Sequence, residues 1–199
     1  MSTITGIDKI IGICGQSYSG KTTARKAIVR ELPYLPYSFA DPLKEAVSKL
    51  FMIPLDTLNN QVLKRQLDPR WNLTPQDIMR TFGTEAMRGT FSSHFWLIQA
   101  ALRLELKASV AVSHKLCVVI DDVRFPNEIS WIHAVGGYVI YIHRAETDIA
   151  HSDIKALHPS EQITIPSRLS PRESIVYNRG LTQFEDDILS IARRITYES

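Results

Sequence analysis

The stretch "GICGQSYSGKTTARKAI", Gly12 to Ile28, concentrates the residue types that hold phosphate. Gly15, Gly20, Lys21 and Thr22 satisfy the spacing G-x-x-x-x-G-K-[ST], in which glycines let successive backbone N–H groups turn inward around phosphate oxygens. A helix starting at such a loop adds its N–H groups and the positive end of its dipole to the same anion. Lys21 is placed to reach the β- and γ-phosphates, and the Thr22 hydroxyl to ligate magnesium. Average residue usage produces this pattern by chance in about 1% of chains this long. Here it also lies between an apolar run and a helix-forming run, the context the chemistry requires.

Three further constellations can serve the same chemistry. In "VVIDDVRFPNE", Asp121 and Asp122 close an apolar run, where a strand-end carboxylate beside a phosphate loop can hold magnesium directly or through water; Arg124 and Glu128 follow on the turn and helix. In "FADPLKEA", a capped helix start with Lys44 in its first turns can present a cation and N–H groups to a second phosphate. The segment 52–73 is irregular and carries Lys64, Arg65 and Arg70, of which Arg65 is a candidate substrate cation. Each also has a structural alternative: a solvated strand end, a surface lysine, a basic loop.

The elements that must position these groups are legible in outline. "KIIGIC" (Lys9 to Cys14) is β-branched and ends at glycine, which predicts a buried strand. Composition turns helical from Thr22 to Leu32, and Pro33 stops it. "YSFADPLKEAVSKLF" predicts a short strand and then a helix with Asp41 as N-cap and Pro42 at the first position. Thr74 before Pro75, with Asp77 in the first turn, predicts another helix start. From His94 to Ala108 the helical period puts Phe95, Ile98, Leu102 and Leu106 on one apolar stripe and Trp96 off it, beside Gln99, Arg103 and Lys107. A tryptophan there is free either to stack on a flat ligand or to pack against a loop.

"LCVVIDDVRF" is the clearest buried strand, a helix follows from about Asn127, and "GGYVIYIHR" is a further strand. The last helix, from Gln183, lines up Phe184, Ile188, Ile191 and Ile195. Strands alternating with helices imply an α/β fold with a mostly parallel sheet covered on both faces. Residues 145–172 show no clear periodicity and read as a lid or an irregular excursion.

The bulk numbers fit one domain: 199 residues, 44% hydrophobic and 22% charged. Lys and Arg total 23 against 21 for Asp and Glu, so the charge of +2 argues against a dedicated nucleic-acid binder, and an acidic substrate must be met by local cations. No apolar run approaches a bilayer span, and "MSTITGIDKIIGICG" lacks the basic and long apolar parts of a signal peptide. Cys14 and Cys117 lie in apolar runs and read as buried reduced thiols of a cytoplasmic protein.

The pieces "GQSYSGKTT", "FADPLKEAV", "TPQDIMRTFGTEAMR…FW", "VVIDDVRFPNE…AVGGYVIYIHR" and "HPSEQ…YNRG", in that order, resemble the deoxynucleoside monophosphate kinases carried by bacteriophages. The resemblance runs from Ile10 to about Ile195, and its "FGTE…FW" and "DVRFPNE" parts are far more specific than the phosphate loop. It implies a P-loop, nucleoside-monophosphate-kinase-like three-layer fold. The core would span about 8–50 and 115–199, a helical acceptor-binding region about 52–112, and a lid about 145–172. It implies transfer of the γ-phosphoryl of ATP to a deoxynucleoside 5′-monophosphate with Mg²⁺, and no stable contact with nucleic acid or membrane.

By position, Gly15, Tyr18, Ser19, Gly20, Lys21, Thr22 and Thr23 would take the donor, with Arg144 and the Asn178-x-Gly180 pair near it. Lys44 would bind the acceptor, with Gly83, Thr84, Trp96, Asp122, Arg124 and Glu128 lining its pocket. Lys21, Asp122 and Arg124 would be catalytic, Thr22 and Asp122 would hold the metal, and "HPSE" would bring Ser160 and Glu161 to the substrate. Many members have "TPR" where this chain has Thr74-Pro75-Gln76, which leaves Arg80 or Arg88 to take the acceptor phosphate. Arg168 and Arg172 join Arg144 as candidates to close on the transferring group. The competing classes are another small-molecule P-loop kinase, acting on a nucleoside or on dephospho-coenzyme A, and a nucleotide-dependent switch or nucleic-acid-associated ATPase. Whether the chain acts alone or as a homodimer is left open.

Overall fold

The computed structural model describes residues 4–111, 115–145 and 165–197. At its centre the β-branched runs pair as a parallel sheet: β1 (Ile7–Gly15), β2 (Tyr34–Tyr37), β3 (Leu116–Val123), β4 (Tyr138–His143) and β5 (Glu173–Tyr177), in spatial order β2-β3-β1-β4-β5. Every strand pairing in this sheet is parallel. Parallel neighbours need helical crossovers, and α1 (Lys21–Glu31), α6 (Pro126–Ala134) and α7 (Leu181–Tyr197) supply helices packed on the sheet.

Alternate residues of β1 go to opposite faces. Ile11 and Ile13 join Val119, Ile140, Ile142 and Val176 against Ala24 and Ile28 of α1 and Phe184, Ile188, Ala192 and Ile195 of α7. The other face carries Gly12, and a Cβ there would run into Ile132 of α6, so α6 lies on that side. Burying a large apolar side chain such as Phe184 or Ile188 contributes about 1.5–3 kcal/mol, which makes this double layer the main source of stability in the sheet region. Cys14 is buried and Cys117 half-buried, both as free thiols; burial pushes the Cys14 thiol up to about 12.

The chain forms two compact units, residues 1–38 with 101–199, and residues 39–100. The second unit is helical: α2 (Asp41–Phe51), α3 (Leu55–Asn59), a 3₁₀ turn (Leu63–Arg65) and α4 (Pro75–Arg80), which passes into a π-helical segment (Thr81–Phe91). Its core joins Val47, Ile53, Leu58 and Ile78, with Leu43, Phe51, Met79 and Phe82 packed around them. The division between units falls inside α5 (Phe95–Ser109).

Several expectations are corrected. Ala40, with no side-chain cap, is the N-cap of α2, so Asp41 stands in the first turn as a dipole-compensating acid. The preceding strand is Tyr34–Tyr37 rather than "YSF"; it tolerates Pro36 because β2 is an edge of the sheet. Segment 52–73 is only partly irregular, since it contains α3 and the 3₁₀ turn. β5, which no sequence pattern had singled out, forms the other edge.

The largest correction is α5. Its buried face is Trp96, Leu97, Ala100, Leu104 and Ala108, while Ile98, Leu102 and Leu106 are 50%, 58% and 67% exposed. Both sets repeat every four residues, so periodicity alone could not choose between them; Trp96, two leucines and two small alanines, not the Ile98-Leu102-Leu106 stripe, face the packed side. The Thr74 cap is borne out, its hydroxyl accepting from the Asp77 amide at 3.1 Å. So is the α7 stripe, where Ile191 is partly buried against the core.

Candidate nucleotide site

β1 ends at Gly15, five residues turn, and α1 begins at Lys21, so the motif's spacing becomes a strand-to-helix loop. Two glycines are required by geometry. A Cβ on Gly15 would sit 2.7 Å from both the Ile142 carbonyl and Ser19 Oγ. Gly20 is the N-cap of α1 at φ 116, and a Cβ there would meet Asn178 Nδ2 at 2.7 Å. Asn178 in turn donates from Nδ2 to the Ser19 carbonyl at 2.8 Å, so the residue expected near the donor braces the loop itself. Ser19 is fully buried, and among the described residues neither its Oγ nor the buried Oε1 of half-buried Gln16 has a hydrogen-bond partner. A buried hydroxyl without a partner is uncommon in folded proteins and leaves a donor for a ligand to use. Tyr18 is 59% exposed at φ 65, and Arg144 Nη1 reaches its carbonyl at 3.5 Å. Thr22, exposed, and Thr23, half-buried, occupy the first turn of α1.

Lys21 is folded back on its own loop: Nζ donates to the carbonyls of Gly15 at 2.7 Å and Gln16 at 2.6 Å. Burial lowers its proton affinity to about 8, helped by the nearby positive charge of Arg124 and opposed by Cys14, Asp121 and Asp122. The ammonium is therefore poorly compensated, and a polyanion in the loop would relieve it. Asp121 pairs with Arg25 Nε at 3.0 Å, whereas Asp122 accepts from Ser38 Oγ at 2.6 Å. The two aspartates thus divide: one is tied to α1 and the other is anchored at the sheet's C-terminal end. Arg25 and Ser38 carry no motif. Ser38 reaches Asp122 because β2 pairs with β3 in the register Tyr37↔Ile120, a fact absent from linear spacing.

Glu128 is 2% exposed, and its Oε2 accepts from the amides of Arg124 at 2.7 Å and Phe125 at 3.0 Å. It is the third residue of α6 and reaches back over the helix start as half of a capping box.

Within the helical unit, the candidates are placed as follows. Lys44 lies 3.9 Å from Asp41, Arg80 lies 3.6 Å from Asp77, Arg65 donates to Gln76 Oε1 at 3.3 Å, and Arg88 donates to the Ser93 carbonyl at 3.1 Å. Gly83, buried, and Thr84, half-buried, sit in the π-helical segment, a rare form concentrated at functional sites. Trp96 is 6% exposed, and its indole N–H donates to the Gly83 carbonyl at 2.9 Å. Trp96 therefore belongs to the buried face and steadies the π-helical turn. Ser160 and Glu161, and most of the expected lid, lie outside the described residues.

The group implied beside the loop is Mg²⁺. A threonine hydroxyl and a hydrogen-bonded carboxylate, Thr22 and Asp122, are hard oxygen donors of the kind that ion takes, and they leave its remaining positions to phosphate and water. No group of three His, Cys, Asp or Glu able to enclose a metal exists among the described residues.

A parallel sheet in this order and a glycine loop running into α1, with a half-buried lysine at the helix start, define an α/β fold of the P-loop nucleotide-binding class. The comparisons carry this to a family. The family model for deoxynucleotide monophosphate kinase matches residues 56–181. A protein of Acanthamoeba polyphaga mimivirus, described as "Putative deoxynucleotide monophosphate kinase", is 34% identical over 188 residues, covering 91% of this chain and 94% of that one. Among solved structures, TT1252 from Thermus thermophilus aligns over 96% of this chain and 98% of its own, with TM-score 0.53 and 14% identity, a likeness of fold alone. This chain belongs to the deoxynucleotide monophosphate kinase family and is a nucleotide kinase. Among the described residues, no helix is long and apolar enough to cross a membrane.

Proposed function

We propose that the protein transfers the γ-phosphoryl of ATP to a deoxynucleoside 5′-monophosphate, giving the diphosphate and ADP. The observation that carries this reading is Lys21, half-buried at the start of α1, whose Nζ is spent among the described residues on the Gly15 and Gln16 carbonyls of the glycine loop and on no carboxylate. Binding ATP exchanges the Gly15 and Gln16 carbonyls for phosphate oxygens, while the loop amides and Ser19 Oγ cradle the same chain. Asp122, fixed by Ser38, and Thr22 would hold Mg²⁺, which when bound neutralises charge on the β- and γ-phosphates.

The attacking atom is a phosphate oxygen already ionised near neutral pH, so no side chain need act as general base. Catalysis rests on alignment and on cations around the transferring group. Lys21 and Arg124 supply these from the sheet unit; Lys44, Arg80, Arg88, Gly83 and Thr84 are the candidates for gripping the monophosphate. Family membership supports the acceptor class.

The test is ADP release, coupled to a spectrophotometric readout, with each of the four deoxynucleoside monophosphates and their ribose counterparts. At least one deoxynucleoside diphosphate is expected. A protein that binds ATP and yields no diphosphate from any of them overturns the proposal, and turnover on a nucleoside or on dephospho-coenzyme A would replace it with another small-molecule kinase.

A further inference from the structure

Glu128 was expected, from resemblance, to line the acceptor pocket; its surroundings point elsewhere. A carboxylate 2% exposed is costly to bury unless hydrogen bonds and opposite charge compensate it. The compensation visible here is from the backbone: one oxygen takes both the Arg124 and the Phe125 amide, at 2.7 and 3.0 Å. A capping box needs only the second of these bonds. The first reaches one residue further out, to the peptide carrying Arg124, in the span between the last residue of β3 and Pro126 of α6. Val123 is the last ladder residue of β3, so among the described residues the Arg124 amide takes its acceptor from this carboxylate, and without it an N–H in a half-buried turn loses that acceptor. Arg124 lies close enough to Lys21 for its charge to act on the lysine, and the charge of Glu128 is felt at Cys14, one residue before Gly15. The carboxylate thus holds the backbone base of a second cation, Arg124, whose charge acts on the lysine of the phosphate loop.

We propose that Glu128 is a positioning residue: it clamps the Arg124–Phe125 backbone so that the Arg124 guanidinium is aimed at the transferring phosphoryl group, and it does not read the acceptor base. This rests on the kinase reading above. A misplacement of about 1 Å in a charge donor can cost about 10²-fold in rate, which sets the scale of the effect.

The experiment compares Glu128→Ala and Glu128→Gln with wild type on all four deoxynucleoside monophosphates, together with hydrogen exchange at the Arg124 and Phe125 amides. Expected for alanine are a fall in kcat of about 10²-fold by the same factor for every accepted base, an unchanged ranking of acceptor KM values, and faster exchange at both amides. Glutamine keeps an accepting oxygen and should recover most of the rate and protection. In an Arg124→Ala background, removing Glu128 should add less than about threefold, since the two act as one unit.

A reordered base preference in either variant, or amide protection untouched by alanine, overturns the proposal. If the alanine variant does not fold, glutamine decides by the same two readouts: a reordered base preference or lost protection refutes the clamp, while a uniform factor with protected amides supports it. Were the wild type to phosphorylate none of the monophosphates, the kinase reading fails, and the exchange data still accept or reject the clamp.

Discussion

At the level of single residues, the chemistry converges on Lys21. Replacing it with alanine removes a preorganised charge from the transferring group and is expected to lower kcat by about 10³-fold, about 4 kcal/mol, in the coupled ADP assay. Its lowered proton affinity makes a second, signed prediction. Only the ammonium pairs with phosphate, so affinity for MgATP, measured by titration calorimetry, should hold up to about pH 8 and then fall, approaching tenfold per pH unit above it. Lys21→Arg should flatten that profile. In the ligand-free protein the sign reverses: between about 8 and the ordinary 10.5 the unfolded chain keeps a proton that the folded chain has lost. This group therefore makes the fold more stable as pH rises through that window, as a comparison of urea unfolding with Lys21→Met would show. The loop could be found from spacing because its function is local. Ser38, Arg25 and the clamp by Glu128 could not, since each acts across a strand pairing or a turn that only the fold creates.

Among the elements, α5 shows how a period can be right and a face wrong. Leu104 is fully buried and Leu102 is 58% exposed. Leu104→Ala should destabilise by about 2–5 kcal/mol in chemical denaturation, and Leu102→Ala by no more than about 0.5. The reverse order would restore the stripe read from sequence. Trp96 belongs to the same face and ties α5 to the π-helical segment. Trp96→Phe keeps the aromatic bulk but leaves the Gly83 carbonyl without its indole donor, at about 1–3 kcal/mol of stability. If Gly83 and Thr84 grip the monophosphate, that variant should also raise the acceptor KM and leave the ATP KM within about twofold. Equal loss for both would mark simple structural damage. The π-helical turns have no sequence signature beside the ordinary helix start at Thr74, which explains why the α4 cap was legible and its continuation was not.

For the whole molecule, the proposed reaction requires phosphoryl transfer to outrun hydrolysis, so ATP turnover without a monophosphate should be a small fraction of turnover with one; comparable rates would count against a kinase. The sequence by itself determined the phosphate loop, the alternation of buried strands and helices, the cap at Thr74, and the family, because each depends on residues close in the chain or on patterns repeated along it. Only the tertiary structure decided which strands are neighbours, that β5 completes the sheet, and which side of α5 is buried. It also decided that Asp121 is tied to Arg25 while Asp122 is held by Ser38. Those are contacts between residues as many as 127 positions apart, as for Ile11 and Tyr138, and in a parallel sheet nothing local records which distant strand a residue will meet.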